Sequence, residues 1–149
     1  MDRQRISSGG PWEDMVGYSR AIRVGRRVYV AGTTAVGSDG KLVGPGDPTA
    51  QTRQAFAIIE RALQAAGAQL SDVVRTRFFV TDISRWEEYT RVHGELFRTT
   101  RPVSTMVEVA RMLQPGMLVE VEVDAEIAPR RTPRRSTHRR RGHRARSPS

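Results

Sequence analysis

One segment near the end of the chain restricts the fold more than any other. Between Met117 and Ile127, the residues Met117, Val119, Val121, Val123, Ala125 and Ile127 alternate with Leu118, Glu120, Glu122, Asp124 and Glu126. A period of two sustained over this length marks a strand with one apolar face and one largely acidic face. Such a strand buries its apolar side only when other strands extend the sheet and a second layer covers that side.

The rest of the chain supplies both layers. Ala21-Ile22-Arg23-Val24 and Arg27-Val28-Tyr29-Val30-Ala31-Gly32 flank the turn Gly25-Arg26 and predict a hairpin. Asp47-Pro48 places an N-cap acceptor before a residue suited to the first helical position, and Gly67 offers a left-handed stop. Between them Phe56, Ile59, Leu63 and Ala66 form one apolar stripe against Gln51, Arg53, Glu60, Arg61 and Gln64. Val73 to Val80 is β-branched and aromatic enough for a strand. Ser84-Arg85-Trp86-Glu87 has the form of a capping box, opening a helix whose apolar face is Trp86, Tyr89, Val92 or His93, Leu96 and Phe97. Val103 to Ala110 predicts another strand, and Gln114-Pro115-Gly116 a turn before the last. Residues 1 to 17 read as an irregular lead-in with Trp12 packing as a lid. The order strand, strand, helix, strand, helix, strand, strand predicts an α+β sandwich with both helices on one sheet face.

Charge divides the chain at the end of that pattern. All 16 acidic residues precede Pro129, whereas residues 129 to 149 carry nine arginines and no acid, so the net charge of +9 belongs to the tail. Arg, Pro, Ser, Thr, His and Gly dominate this segment and supply no core, so ordering its backbone, at about 1–2 kcal/mol per residue, is not offset. The expected organisation is a domain over 1–128 and a disordered arginine-rich tail over 129–149. That tail suits weak, salt-sensitive contact with nucleic acid or an acidic protein. With no Cys, thiol chemistry is excluded. The longest apolar run, Ala55 to Ile59, is five residues against the roughly 18 to 20 of a membrane span, and the first fifteen residues hold no apolar signal core. No membrane association and a cytoplasmic location are expected.

Few chemical motifs compete for the function. GxGxxG, Walker A, HExxH, GxSxG and EF-hand patterns are all absent. His93 alone precedes the tail's histidines, so a zinc site would have to rest on carboxylates, and no metal or organic cofactor is expected. The row Glu120, Glu122, Asp124, Glu126 supplies either a general base with a raised pKa or a solvated outer face. His93 with Glu95 is either part of a site or a half-buried structural histidine.

Several segments, in order, resemble the RidA/YjgF family. They are Gly17-Tyr18-Ser19, Val30-Ala31-Gly32-Thr33, Ala65-Ala66-Gly67 with Ser71-Asp72-Val73-Val74-Arg75-Thr76, and Phe79-Val80-Thr81-Asp82. The most specific are Arg101-Pro102-Val103-Ser104-Thr105-Met106-Val107-Glu108-Val109 and Val119-Glu120-Val121-Glu122. The resemblance implies a chorismate-mutase-like homotrimer, in which clefts between subunits hydrolyse enamines and imines such as 2-aminoacrylate to 2-keto acids and ammonia, without metal or organic cofactor. It further implies that Glu120 helps to place water, and that Tyr18, Gly32, Thr33, Ser104, Thr105 and Met106 line the cleft.

One departure lies at the centre of that carry-over. Where the family pattern Pro-Ala-Arg-Ser has the arginine that grips the substrate carboxylate, this chain has Ser104, and Met106 stands where a cysteine is often found. A hydroxyl offers one neutral hydrogen bond of roughly 0.5–1.5 kcal/mol in place of a bidentate charged one. Strand alternation puts Ser104, Met106 and Glu108 on one face, taken as the cleft face, and turns Arg101 and Arg111 to the other. The expectation is a neutral cleft with one carboxylate, suited to a neutral or cationic ligand, with 2-aminoacrylate turnover doubtful. The alternative is a non-catalytic ligand-sensing or interaction module.

Overall fold

In the computed structural model, which describes residues 2–129, six strands form one sheet. They are β1 (Arg3–Ile6), β2 (Ala21–Val24), β3 (Arg27–Thr33), β4 (Val73–Val80), β5 (Val103–Glu108) and β6 (Val119–Glu126). Three helices accompany them: α1 (Pro11–Val16), α2 (Pro48–Ala65) and α3 (Trp86–Phe97). The arginine-rich segment 130–149 lies outside the described residues, and so does the expectation about it.

The strand order is β1-β2-β3-β6-β4-β5, antiparallel except for the parallel pair β4/β5. The alternating segment thus becomes β6, inserted between β3 and β4. A parallel pair needs a crossover, and α3 provides it between β4 and β5. Helix α2 crosses from β3 to β4 over the inward face of β6. Val119, Val121, Val123 and Ala125 on that face meet Phe56, Ile59 and Leu63 of α2 and Tyr89, Val92 and Phe97 of α3 in one core. Full burial of such side chains contributes about 1.5–3 kcal/mol each. Both long helices cover the same face, as the pattern predicts, and the other face of the sheet is left open.

The structure corrects several local readings. The lead-in is not irregular. Arg3–Ile6 pairs with β2, and Pro11–Val16 forms a helical turn and a half, closed by Gly17 in the left-handed region. A charged edge strand has no apolar alternation, so only its pairing reveals it. Trp12 and Trp86 are exposed rather than packed as a lid or on the apolar face. Gln51, read as polar surface, is fully buried. Ser84 does not cap α3: the carboxylate of Asp82 accepts from Ser84 N at 3.1 Å and from its hydroxyl, which consumes the cap and winds Ile83–Arg85 into a 3₁₀ turn. No helix among the described residues is long and apolar enough to cross a membrane.

Candidate functional site

Glu120 opens the polar face of β6, paired with Phe79 of β4 on one side. On the other side the β3/β6 register slips between Val30 and Thr33. One extra β3 residue there forms a bulge, which turns Thr33 into the core and leaves Gly32 against the Glu120 side chain. A Cβ at position 32 would collide with Glu120 Oε1 and lie 3.0 Å from its Cδ, so the Glu120 carboxyl keeps this seat only beside a glycine. Thr33 is fully buried, and its hydroxyl donates to Ala31 O at 2.8 Å.

A guanidinium shares this corner. Arg20 extends the β2 line, its N donating to Ile6 O and its O accepting from Ala31 N, each at 2.9 Å. Its Nη2 donates to Gly32 O at 2.9 Å, and its Cζ lies 5.7 Å from the centre of the half-exposed Tyr18 ring. Its Nε is buried without a hydrogen-bond partner among the described residues. Burial raises the Glu120 pKa above the ordinary carboxylate range; Arg20 pulls it down and Glu122 pushes it further up. The expected neutral cleft with a lone carboxylate is therefore corrected, because a cation stands within electrostatic reach. Sequence reading passed over Arg20. The available signal was its parity with Ile22 and Val24 on the open side of the hairpin.

The remaining acids of the row are held by ion pairs. Asp124 meets Arg75 at 3.8 Å and Arg77 at 3.4 Å, Glu122 meets Arg77 at 4.0 Å, and Glu126 meets Arg26 at 3.3 Å. These are partly exposed pairs of the kind that contributes little stability. Among the described residues Glu120 is the member of the row held by no ion pair. Among the described residues no three His, Asp or Glu side chains are grouped to hold a metal ion.

The residues of β5 divide between the two sides of the sheet. In the parallel register Thr105 sits beside Arg77, on the open face with Glu120. Ser104 and Met106 sit beside Thr76 and Phe78, whose side chains are buried under the helices. Ser104, Met106 and Glu108 do share a face, as alternation predicts, but it is the helix side and not the Glu120 side. Within one chain Glu120, Gly32, Arg20 and Tyr18 are brought together, and Ser104 and Met106 are not brought to them. Arg101 precedes β5 in the left-handed region, at φ 51°, and Arg111 follows its end, so strand parity fixes neither side chain. Glu95 pairs with Arg53 at 2.8 Å rather than with His93, which packs among Phe56, Phe78 and Phe97.

Comparison with known proteins agrees with this architecture. The family described as Endoribonuclease L-PSP matches residues 12–127. A Mycobacterium tuberculosis member of the YjgF/YER057c/UK114 family, known from its crystal structure, is 52% identical with a TM-score of 0.77, covering 85% of this chain and 100% of that one. An uncharacterized protein of Streptomyces coelicolor is 41% identical over 122 residues, which is 82% of this chain and 90% of the relative. A RutC family protein of Pyrococcus abyssi is 33% identical over 108 residues, covering 72% of this chain and 84% of that relative. A family match spanning nearly the whole described sheet, together with a shared solved fold, leads to one assignment: the chain belongs to the RidA/YjgF family, the YjgF/YER057c/UK114 or L-PSP group.

Proposed function

We propose that this protein binds small metabolites in clefts between the subunits of a homotrimer and hydrolyses an imine or enamine there. Glu120 is the catalytic base, and Tyr18, Gly32, Ser104, Thr105 and Met106 line the cleft, whereas Thr33, its side chain buried in the core, reaches it through backbone alone. The observation that carries this reading is the half-buried Glu120 carboxylate, with its raised pKa, seated on Gly32 beside Arg20. A carboxylate moved toward neutrality both accepts and returns a proton efficiently. Once an enamine has tautomerised to the imine, Glu120 takes a proton from water as the oxygen bonds to the imine carbon and passes it to the nitrogen. It then takes the remaining hydroxyl proton and passes that to the nitrogen as the carbonyl forms and the C–N bond breaks. The products are a carbonyl compound and ammonia.

A shared cleft is a requirement of this reading: Ser104 and Met106 lie on the opposite side of the sheet from Glu120, so all of these residues meet only if the β5 edge of one subunit borders the open face of another. The open face also leaves Tyr29, Val103 and Val107 exposed in a single chain, and association would bury them.

The test measures hydrolysis of a panel of imines and enamines, 2-aminoacrylate included, by wild type and Glu120→Gln. A loss on the order of 10²-fold or more is expected for a general base. Equal rates would remove Glu120 from the reaction. The absence of turnover on every substrate would favour the second reading, a non-catalytic ligand-sensing or interaction module, which the loss of a guanidinium at Ser104 supports.

A further inference from the structure

The end of β6 farthest from Glu120 lies in a cluster of arginines. Arg3 on β1 and Arg27 on β3 both stand opposite Val24 of β2, and Arg5 stands opposite Ile22. Directly paired residues share a face, so all three point away from the helices, with Arg3 and Arg27 about 10 Å apart across β2. Arg26 occupies the turn beside them, and all four residues are exposed. Arg26 O accepts from Ile127 N at 2.8 Å, so the chain leaves β6 at this same corner. Nine arginines then follow within residues 130–146, with no acid among them. We propose that Arg3, Arg5 and Arg27 continue this arginine-rich segment into one surface that binds the phosphate backbone of a duplex nucleic acid.

The charge of this surface has no partner within the fold. Asp124 is held by Arg75 and Arg77, Glu122 by Arg77 and Glu126 by Arg26, whereas Arg3, Arg5 and Arg27 form no ion pair among the described residues. The 16 acids before Pro129 are matched by as many arginines and lysines there, so the domain leaves the charge of the following segment uncompensated. The class of polyanion follows from what that segment lacks. Residues 130–149 contain no Val, Ile, Leu, Met, Phe, Tyr or Trp. Nothing there enters lipid, fills a pocket on an acidic protein or stacks on an unpaired base. Every cation of the surface is an arginine, whose planar fork matches phosphate oxygens in pairs. A duplex presents phosphates densely, at about one charge per 1.7 Å of axis, and its backbone is held without regard to sequence. The surface lies at the β1 edge, across the sheet from the β5 edge with Val103 and Val107, so it does not rest on the reading of the Glu120 cleft.

Fluorescence anisotropy of the full-length protein with a dye-tagged DNA duplex of arbitrary sequence tests the assignment. Affinity is expected to fall about 10³-fold or more between about 50 and 200 mM salt, as for six or more phosphate contacts. Arg3→Gln, Arg5→Gln and Arg27→Gln together should reduce the slope of log affinity against log salt by about 2.7, and Lys at the same three positions should restore it. The Lys variant separates lost charge from lost folding. No binding of the duplex at the lower salt would overturn the proposal, as would a triple Gln variant that keeps the wild-type slope. Tighter binding of a single strand, of polyglutamate or of phosphatidylserine vesicles at matched charge would overturn it too.

Discussion

Gly32 and Glu120 occupy space that only one of them can fill. Replacing Gly32 with alanine forces the Glu120 carboxyl off its seat, because the added carbon would lie only 3.0 Å from Cδ even before the clash with Oε1 is considered. The carboxyl is the far end of a flexible side chain and swings aside cheaply, so Gly32→Ala should reduce turnover as Glu120→Gln does while changing stability in urea by no more than about 1 kcal/mol. Arg20 has a separate, electrostatic role. Its removal takes away the positive charge that lowers the Glu120 pKa and leaves burial and Glu122, which both raise it. Arg20→Met should move the Glu120 titration to higher pH, followed by carbon-13 NMR of the side-chain carboxyl. The linkage sign follows: an acid whose folded pKa is raised contributes stability below its unfolded value and loses it as pH rises through the folded one. In Arg20→Met that decline should begin at the same pH as in wild type and extend further upward. A Glu120 signal that does not move would remove Arg20 from the site.

At the scale of elements, Gln51 fastens the start of α2 to two loops and to the entry of β6. Its amide donates to Gly44 O at 3.2 Å and Gly116 O at 3.0 Å, and its carbonyl accepts from Leu118 N at 2.9 Å. Glu120 lies two residues beyond that last contact, so the clamp on α2 also sets where β6 begins. Gln51→Leu fits the volume but strands three backbone groups, at about 1–3 kcal/mol for each group left buried and unpaired. Gly116 is exposed and Gly44 and Leu118 are half-buried, so a loss of about 1–3 kcal/mol in denaturant unfolding is expected, and a loss below about 1 kcal/mol would show that water replaces the amide. The stripe of α2 was legible from Phe56, Ile59 and Leu63, because apolar burial follows helical periodicity. Gln51 was not, because a buried amide is identified by partners distant in sequence. The same holds for Ser84, whose capping role passed to Asp82 through a geometry that residue types alone leave open.

At the scale of the molecule, one sheet face is closed by helices and the other carries the acidic row, its arginine partners and exposed Tyr29, Val103 and Val107. If this face is where subunits meet, a charge at Val107 opposes assembly without touching the helix-side core. Light scattering of wild type at micromolar concentration should report a trimer, and Val107→Arg should shift the mass toward the monomer while circular dichroism stays unchanged. A monomeric wild type would overturn the shared cleft. The sequence by itself determined five of the six strands, the two long helices, the layer they form and the family, because each depends on local periodicity, capping residues and ordered motifs. Tertiary structure alone decided that Gly32 and Arg20 converge on Glu120, and that Ser104 turns away from it toward Thr76 and His93. Those meetings depend on a one-residue bulge and on which strands become neighbours, and hydrogen-bonded pairing across the sheet is a relation between distant segments that no single segment encodes.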